Sequence, residues 1–406
     1  MSKPETLFAM QPTDQTLPHG FRFAGVAAGI KASGKPDVSL IVADKPLVVA
    51  GVYTQNQIVA APVVLCRQRT PSASIRAVVT NSGNANACTG DQGMQDAVEM
   101  CRMVAGEVGC AEEGVLVMST GVIGHHLPMD TVRSGITKAC AGLAGGVDAF
   151  KSAADAILTT DNGRKVATTS FTCGDQSIRM AAMAKGAGMI APNMATMLAV
   201  VMTDAALRPE DAKRLLSDAV NVSFNCVSVD QHTSTNDTLL LMASGDGEPL
   251  SGTALAQFAD RLNEISIALA KQLVRDGEGA KHFMAIHVHG AQSVEQANRI
   301  AKTIGDSPLV KTAITGGDPN WGRIVSAAGY ADAAITPDRT TLKLCGETIY
   351  ENGVPAAFDA AQLSRKMKSE VEVAVDLCVG EGNGTATRWA SDLTTNYVTF
   401  NSEYTT

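Results

Sequence analysis

Thr196 follows the small residue Ala195 in the run Lys185-Gly186-Ala187-Gly188-Met189-Ile190-Ala191-Pro192-Asn193-Met194-Ala195-Thr196-Met197-Leu198. A hydroxyl behind a small residue, in a Gly/Pro-punctuated turn before a strand-like segment, suits a chain that cuts itself and exposes a new N-terminal threonine. A threonine hydroxyl is a weak nucleophile until a base takes its proton, and an N-terminal threonine carries that base in its own α-amine. At pH 7 an amine of reference pKa about 7.7 to 8.0 is roughly a tenth to a sixth neutral, whereas an ordinary lysine near 10.4 is neutral in only about 1 molecule in 2,500. Unless burial strongly depresses Lys185, the amine is the expected base. Freeing it requires attack of the Thr196 hydroxyl on the Ala195 carbonyl, an N-to-O acyl shift, and hydrolysis of the ester. The turn around Pro192-Asn193 suits a strained, accessible carbonyl.

Two other readings of the run compete. Gly186-Ala187-Gly188-Met189-Ile190-Ala191 has the spacing of a dinucleotide fingerprint, which should lie between a β-branched strand and a helix. Here Met180-Ala181-Ala182-Met183-Ala184 lacks β-branched residues, and Leu198 to Met202 look like a buried strand. The third reading is a plain loop with a threonine at a strand edge. Elsewhere, Ser119-Thr120-Gly121 follows the strand-like Val115-Leu116-Val117-Met118, so the Gly121 N–H and the Thr120 hydroxyl could face a cleft at the strand end. A Thr-Gly after a strand is otherwise a turn.

The elements that must position these groups are α/β in pattern, with substantial antiparallel sheet. Leu47 to Tyr53 and Ile75 to Val79 read as strands. Met94, Ala97, Val98, Cys101, Val104 and Val108 recur at helical spacing over Asp91 to Val108, behind Thr89 or Asp91 as a cap. Thr168 to Phe171 and Ser177 to Met180 flank Cys173-Gly174-Asp175 as a hairpin, and Ala254 to Val274 and Ser293 to Ile304 read as helices. No internal repeat, low-complexity tract or linker composition marks the Ala195-Thr196 boundary, so it is expected to be a cleavage point inside a fold.

Composition sets outer limits. The 406 residues suffice for two or three core-forming units, and 45% hydrophobic with 18% charged is ordinary for a soluble protein. A net charge of -8 without a Lys/Arg run argues against a nucleic-acid surface. The nine cysteines include no C-x-x-C pair and read as reduced, packed thiols of a cytoplasmic protein. Neither an export signal nor a membrane span is expected. His125-His126 and His287-x-His289 lack further ligands at a useful spacing, so no metal site is expected. Gly380-Glu381-Gly382-Asn383-Gly384 resembles a phosphate loop, but only 22 residues follow it, too few for a βαβ unit of about 30.

Six blocks in order resemble the ornithine acetyltransferase (glutamate N-acetyltransferase) family of arginine biosynthesis. They are Gly20 to Lys31, Thr80-Asn81-Ser82-Gly83-Asn84-Ala85-Asn86-Ala87-Cys88-Thr89-Gly90, Ser119 to Gly124, Lys185 to Leu198, Asp276-Gly277-Glu278-Gly279-Ala280, and Gly317-Asp318-Pro319-Asn320-Trp321-Gly322-Arg323. The resemblance implies a two-sheet sandwich with helices on both outer faces. It implies autocatalytic cleavage into chains 1–195 and 196–406, both contributing to one globule, and assembly of two α and two β chains.

The implied reaction moves the acetyl group of N-acetylornithine to glutamate through acetyl-Thr196, with no cofactor, and leaves open acetyl-CoA as a second acetyl donor. Thr120 and Gly121 are the implied oxyanion pair, and Thr159, Lys185, Thr196, Glu278, Asn401 and Thr406 the implied substrate contacts. Whether Thr159 or its neighbour Thr160 touches substrate stays open. Lys185 suits the α-carboxylate shared by both substrates, and Glu278 the ornithine ammonium; their bland alternatives are a solvated loop lysine and an exposed turn glutamate. The sequence departs from the family pattern at Lys281-His282, at Asn162-Gly163-Arg164-Lys165 and at Ser391. Competing functions are an autoprocessing aminopeptidase that uses water as acceptor, and an uncut metabolite-binding protein.

Overall fold

The computed structural model describes residues 11–173, 176–191 and 197–403. Its first part runs β1 (Phe21–Val26), β2 (Val38–Tyr53), α1 (Ala61–Arg69), β3 (Ser72–Asn84), α2 (Gly90–Val108), β4 (Val115–Val122), α3 (Met129–Ala141), α4 (Val147–Ala156), β5 (Lys165–Cys173) and β6 (Gln176–Lys185). There follow β7 (Leu198–Thr203), α5 (Pro209–Asn221), β8 (Val227–Ser228), β9 (Thr238–Ala243), α6 (Gly252–Arg275), β10 (Phe283–Ala291), α7 (Val294–Asp306), α8 (Pro308–Gly316) and α9 (Trp321–Gly329). The chain closes with β11 (Thr341–Leu344), β12 (Glu347–Glu351), β13 (Val354–Pro355), α10 (Ala360–Ser369), β14 (Glu372–Cys378), β15 (Gly384–Ser391) and α11 (Thr395–Glu403).

Two mixed sheets organise these elements. The first has eight strands in the order β4-β3-β2-β9-β7-β6-β5, with β1 paired beside β2; the second has seven, β13-β12-β11-β14-β10-β15-β8. The first sheet packs one face against α2, α3 and α4. Phe23 of β1 meets Phe150 of α4 edge-on, with centroids 5.4 Å apart. Its other face packs on α5 and α6, in a core that also takes Phe283 and Trp389 of the second sheet. In α6, Phe258, Leu262, Ile265, Leu269 and Leu273 recur at helical spacing and are buried, each worth about 1.5 to 3 kcal/mol. A third core joins β10, β11 and β14 to α7, α9 and α10.

The α/β class with two mixed sheets and covering helices agrees with the sequence reading. In α2, Ala97, Cys101 and Val104 are buried, but the N-cap Thr89 makes no side-chain cap bond; its hydroxyl donates to Asn86 Oδ1 instead (2.8 Å). The hairpin strand read at Ser177 to Met180 runs on through Ala184 as β6, despite lacking β-branched residues there. Met180 to Ala184 are all buried, and neighbours on both sides decide the matter over propensity. The dinucleotide reading still fails, because β7 rather than a helix follows. The Gly380 loop likewise leads into β15, not a helix.

β6 and β7 are hydrogen-bonded neighbours, with Lys185 opposite Leu198. The run that carries the expected cleavage point thus connects adjacent antiparallel strands.

Candidate active site

The end of β4 supplies Thr120 and Gly121, in register with Ser82 and Gly83 of β3. Gly121 has φ +133°, and a Cβ there would lie 2.3 Å from the Gly83 carbonyl carbon, so only glycine fits. Asn236 pins this edge in place, donating from Nδ2 to Ala85 O (2.6 Å) and Ser119 O (2.8 Å). Ser119 Oγ donates to Asn81 Oδ1 of β3 (2.6 Å).

Lys185 is the last residue of β6 and is 3% exposed, which overturns the solvated-loop alternative. Its Nζ donates to Thr120 Oγ1 across 3.3 Å. Burial pushes the Lys185 ammonium below its ordinary pKa, while Asp161, Glu278 and Asp237 favour the charged form. The neutral fraction of an ordinary lysine therefore does not describe Lys185. Asp161, whose side chain is wholly buried, accepts from Lys165 Nζ (2.6 Å) and from the Gly186 N–H (2.6 Å). Burial would raise its pKa, but Lys185 and Lys165 outweigh that and hold it at about 2. Lys165 also reaches Asp276 (2.5 Å).

Glu278 sits in the loop between α6 and β10, anchored by its N–H to Ala187 O (2.8 Å). Its two carboxylate oxygens are both engaged: Thr160 Oγ1 donates to Oε1 (2.7 Å) and Asn401 Nδ2 to Oε2 (3.0 Å). Gly188 packs against this carboxylate so closely that a Cβ would lie 2.3 Å from Oε2. The exposed-turn alternative for Glu278 thus fails. At the Lys281-His282 departure, the Lys281 N–H donates to Asp392 Oδ1 (3.0 Å), a backbone bond that does not depend on the side chain there.

These groups line one cavity of about 260 Å³, whose walls include Thr120, Gly121, Thr159, Thr160, Lys185, Glu278 and Asn401. Of the two neighbouring threonines, Thr160 makes the side-chain bond to Glu278, while Thr159 contributes an N–H to Asp161 (3.0 Å). Thr196, Ala195, the turn at Pro192-Asn193 and Thr406 lie outside the described residues. Asp230, His232, Asn236 and Tyr397 also line the cavity, and the sequence reading missed them. The polar run Asp230 to Asp237 could have hinted at the first three, and no local signal marks Tyr397. Among the described residues there is no cluster of histidine, cysteine or acidic side chains that could hold a metal ion, and no helix is long and apolar enough to cross a membrane. All nine cysteines are free thiols.

A cavity with a buried ammonium and a hydroxyl–glycine pair at one strand end, facing a carboxylate dressed by neutral donors, is built for a small molecule carrying charges of both signs. The chain belongs to the ArgJ family, whose sequence profile matches residues 22–406. It is 57% identical over 399 residues to the arginine biosynthesis bifunctional protein ArgJ of Rhodopirellula baltica, covering 97% of each chain. With the ArgJ protein of Geobacter sulfurreducens it shares 47% identity over 393 residues, 95% of this chain and 99% of that one. Among solved structures, ArgJ from Bacillus halodurans is 36% identical at a TM-score of 0.49, covering 50% of this chain and 98% of that one. Ornithine acetyltransferase from Mycobacterium tuberculosis, complexed with ornithine, is 40% identical at a TM-score of 0.43, covering 47% and 98%.

Proposed function

We propose that this chain is an acetyltransferase of arginine biosynthesis that passes the acetyl group of N-acetylornithine to glutamate through an acetyl-Thr196 intermediate. The observation that carries the reading is the convergence of Thr120, Gly121, Lys185, Glu278 and Asn401 on one cavity, next to the β6–β7 connection that bears Thr196. Self-cleavage at Ala195-Thr196 gives chains 1–195 and 196–406 and frees the α-amine that serves as base. Lys185 is occupied as a donor to Thr120 beside Asp161 and Glu278, which favours a charge-holding role over that of base although burial lowers its pKa.

Thr196 attacks the acetyl carbonyl, ornithine leaves, and glutamate then takes the acetyl group from the threonine ester. Each half passes a tetrahedral oxyanion, for which the Gly121 N–H and Thr120 hydroxyl are the assigned donors, each worth about 3 to 4 kcal/mol in such sites. Lys185 neutralises the α-carboxylate common to both substrates. Glu278 receives the ornithine ammonium, with Thr159, Asn401 and Thr406 completing the contacts. The acetyl group is carried on the protein, so no resident cofactor is required, and acetyl-CoA is proposed as a second donor. Two α and two β chains are proposed to assemble, which light scattering tests as a mass of about twice 42.2 kDa.

The deciding experiment is Thr196→Ala beside wild type, assayed with labelled acetylornithine plus glutamate, and separately with acetyl-CoA plus glutamate. The variant is expected to remain one band on a denaturing gel and to form no acetylglutamate, while Thr196→Ser keeps some of both activities. Full activity in an uncut 42.2 kDa chain would refute the mechanism. Release of acetate without acetylglutamate would mean hydrolysis.

A further inference from the structure

Two aspartates from the β8–β9 connection hold the two flanks of the segment that carries Thr196. Asp230 accepts from the Met189 N–H (2.6 Å) and the Ile190 N–H (2.8 Å) upstream of it. Asp237 accepts at Oδ1 from the Met197 N–H (2.9 Å), the amide joined directly to the Thr196 carbonyl. The two carboxylates differ in what remains free. Asp230 also takes the His232 N–H (3.1 Å), whereas Asp237 is 0% exposed and its Oδ2 is buried with no hydrogen-bond partner among the described residues. Asp237 is itself fixed from behind, its carbonyl accepting from the Thr54 N–H (3.0 Å) at the end of β2.

A buried, unpartnered carboxylate oxygen is costly when charged and much less so when it carries a proton. Burial holds the Asp237 acid well above the usual carboxylate range, while the Met197 N–H, the ammonium of Lys185 facing it from β6 and the nearby Ser234 hydroxyl pull the other way.

We propose that Asp237 positions Thr196 and holds the proton that the Thr196 nitrogen takes up when the Ala195-Thr196 bond opens. The inference rests on Thr196 being the nucleophile. In that step the bond from Thr196 Oγ to the Ala195 carbonyl carbon forms, and the scissile C–N bond breaks. The leaving nitrogen takes the Asp237 carboxyl proton, and the proton released by the threonine hydroxyl restores the acid. Water then hydrolyses the ester to the Ala195 carboxylate and the free hydroxyl.

Asp237→Asn separates the two parts of the proposal, because the amide oxygen still accepts from Met197 while the acid is gone. Full-length wild type, Asp237→Asn, Asp237→Ala and Thr196→Ala chains are followed from precursor to fragments by intact mass. Both Asp237 variants are expected to cut about 100-fold or more slowly, the lower range for general acid–base help. Asp237→Asn should keep a thermal unfolding midpoint near that of wild type. The wild-type cleavage rate should fall as pH rises through the titration of Asp237, a readout that requires no variant to fold. Wild-type cutting by Asp237→Asn, or a wild-type rate that is flat with pH, overturns the proposal. Cutting by Thr196→Ala overturns instead the assignment of the nucleophile.

Discussion

Lys185 Nζ donates to Thr120 Oγ1 across 3.3 Å, so the cation proposed to meet substrate and the hydroxyl proposed to meet the oxyanion form one unit at the ends of β6 and β4. A change at either should register at both. Lys185→Met keeps the length and removes the charge. The prediction is a fall in kcat/KM of roughly 10- to 100-fold for acetylornithine and for glutamate alike, the scale of one charged hydrogen bond. Unchanged KM values for both substrates would remove Lys185 from the carboxylate subsite.

Glu278 should discriminate between the substrates, because only ornithine brings a side-chain ammonium. With Thr160 and Asn401 both donating to it, Glu278→Gln preserves much of the shape and removes the charge. KM for acetylornithine is predicted to rise tenfold or more, with a smaller change for glutamate. Equal changes would show that the residue only braces its loop.

Asp161 acts on both Lys165 and Lys185, and Asp161→Asn removes the wholly buried carboxylate from this group, leaving Lys165 to Asp276 and Lys185 to Glu278. Breaking a buried pair this way is predicted to cost about 3 to 5 kcal/mol at pH 7. The folded pKa of Asp161, about 2, lies below the ordinary 3.8. Its contribution is therefore complete above about pH 4 and is lost as pH falls through about 2. The gap between wild-type and variant unfolding midpoints should shrink below pH 4; a gap constant with pH would exclude Asp161 as its source.

Gly121→Ala forces a Cβ onto the Gly83 backbone at a positive φ. Precursor cleavage and acetyl transfer are both predicted to fail, with a lower unfolding midpoint. The control is Gly106→Ala on α2, where nothing lies within 4 Å of the added carbon. Equal behaviour of the two variants would detach Gly121 from the reaction.

The fold was legible wherever periodicity was strong, as in α2, α6 and α7, and only partly so where tertiary neighbours decide, as in the Met/Ala-rich β6, of which only Ser177 to Met180 was read as strand. Thr120, Gly121, Lys185, Glu278 and Asn401 were named from residue type and family resemblance, and the structure brings them to one cavity. Asp161, Asp230 and Asp237 were not. Each acts by accepting backbone N–H groups of segments distant in sequence. No local pattern encodes such a contact.

The pairing of β6 with β7 would give the proposed cut an irreversible character. Before scission their association is the closing of a short loop; afterwards it is an encounter of two molecules, with an entropic cost set by concentration. The intact sheet conceals that difference, because β5 and β9 hold the two strands from outside. Denaturation would expose it: uncut Thr196→Ala chains should refold with a yield independent of dilution, while matured protein should refold ever more poorly as it is diluted. The precursor would then serve as the template on which the mature enzyme is assembled once.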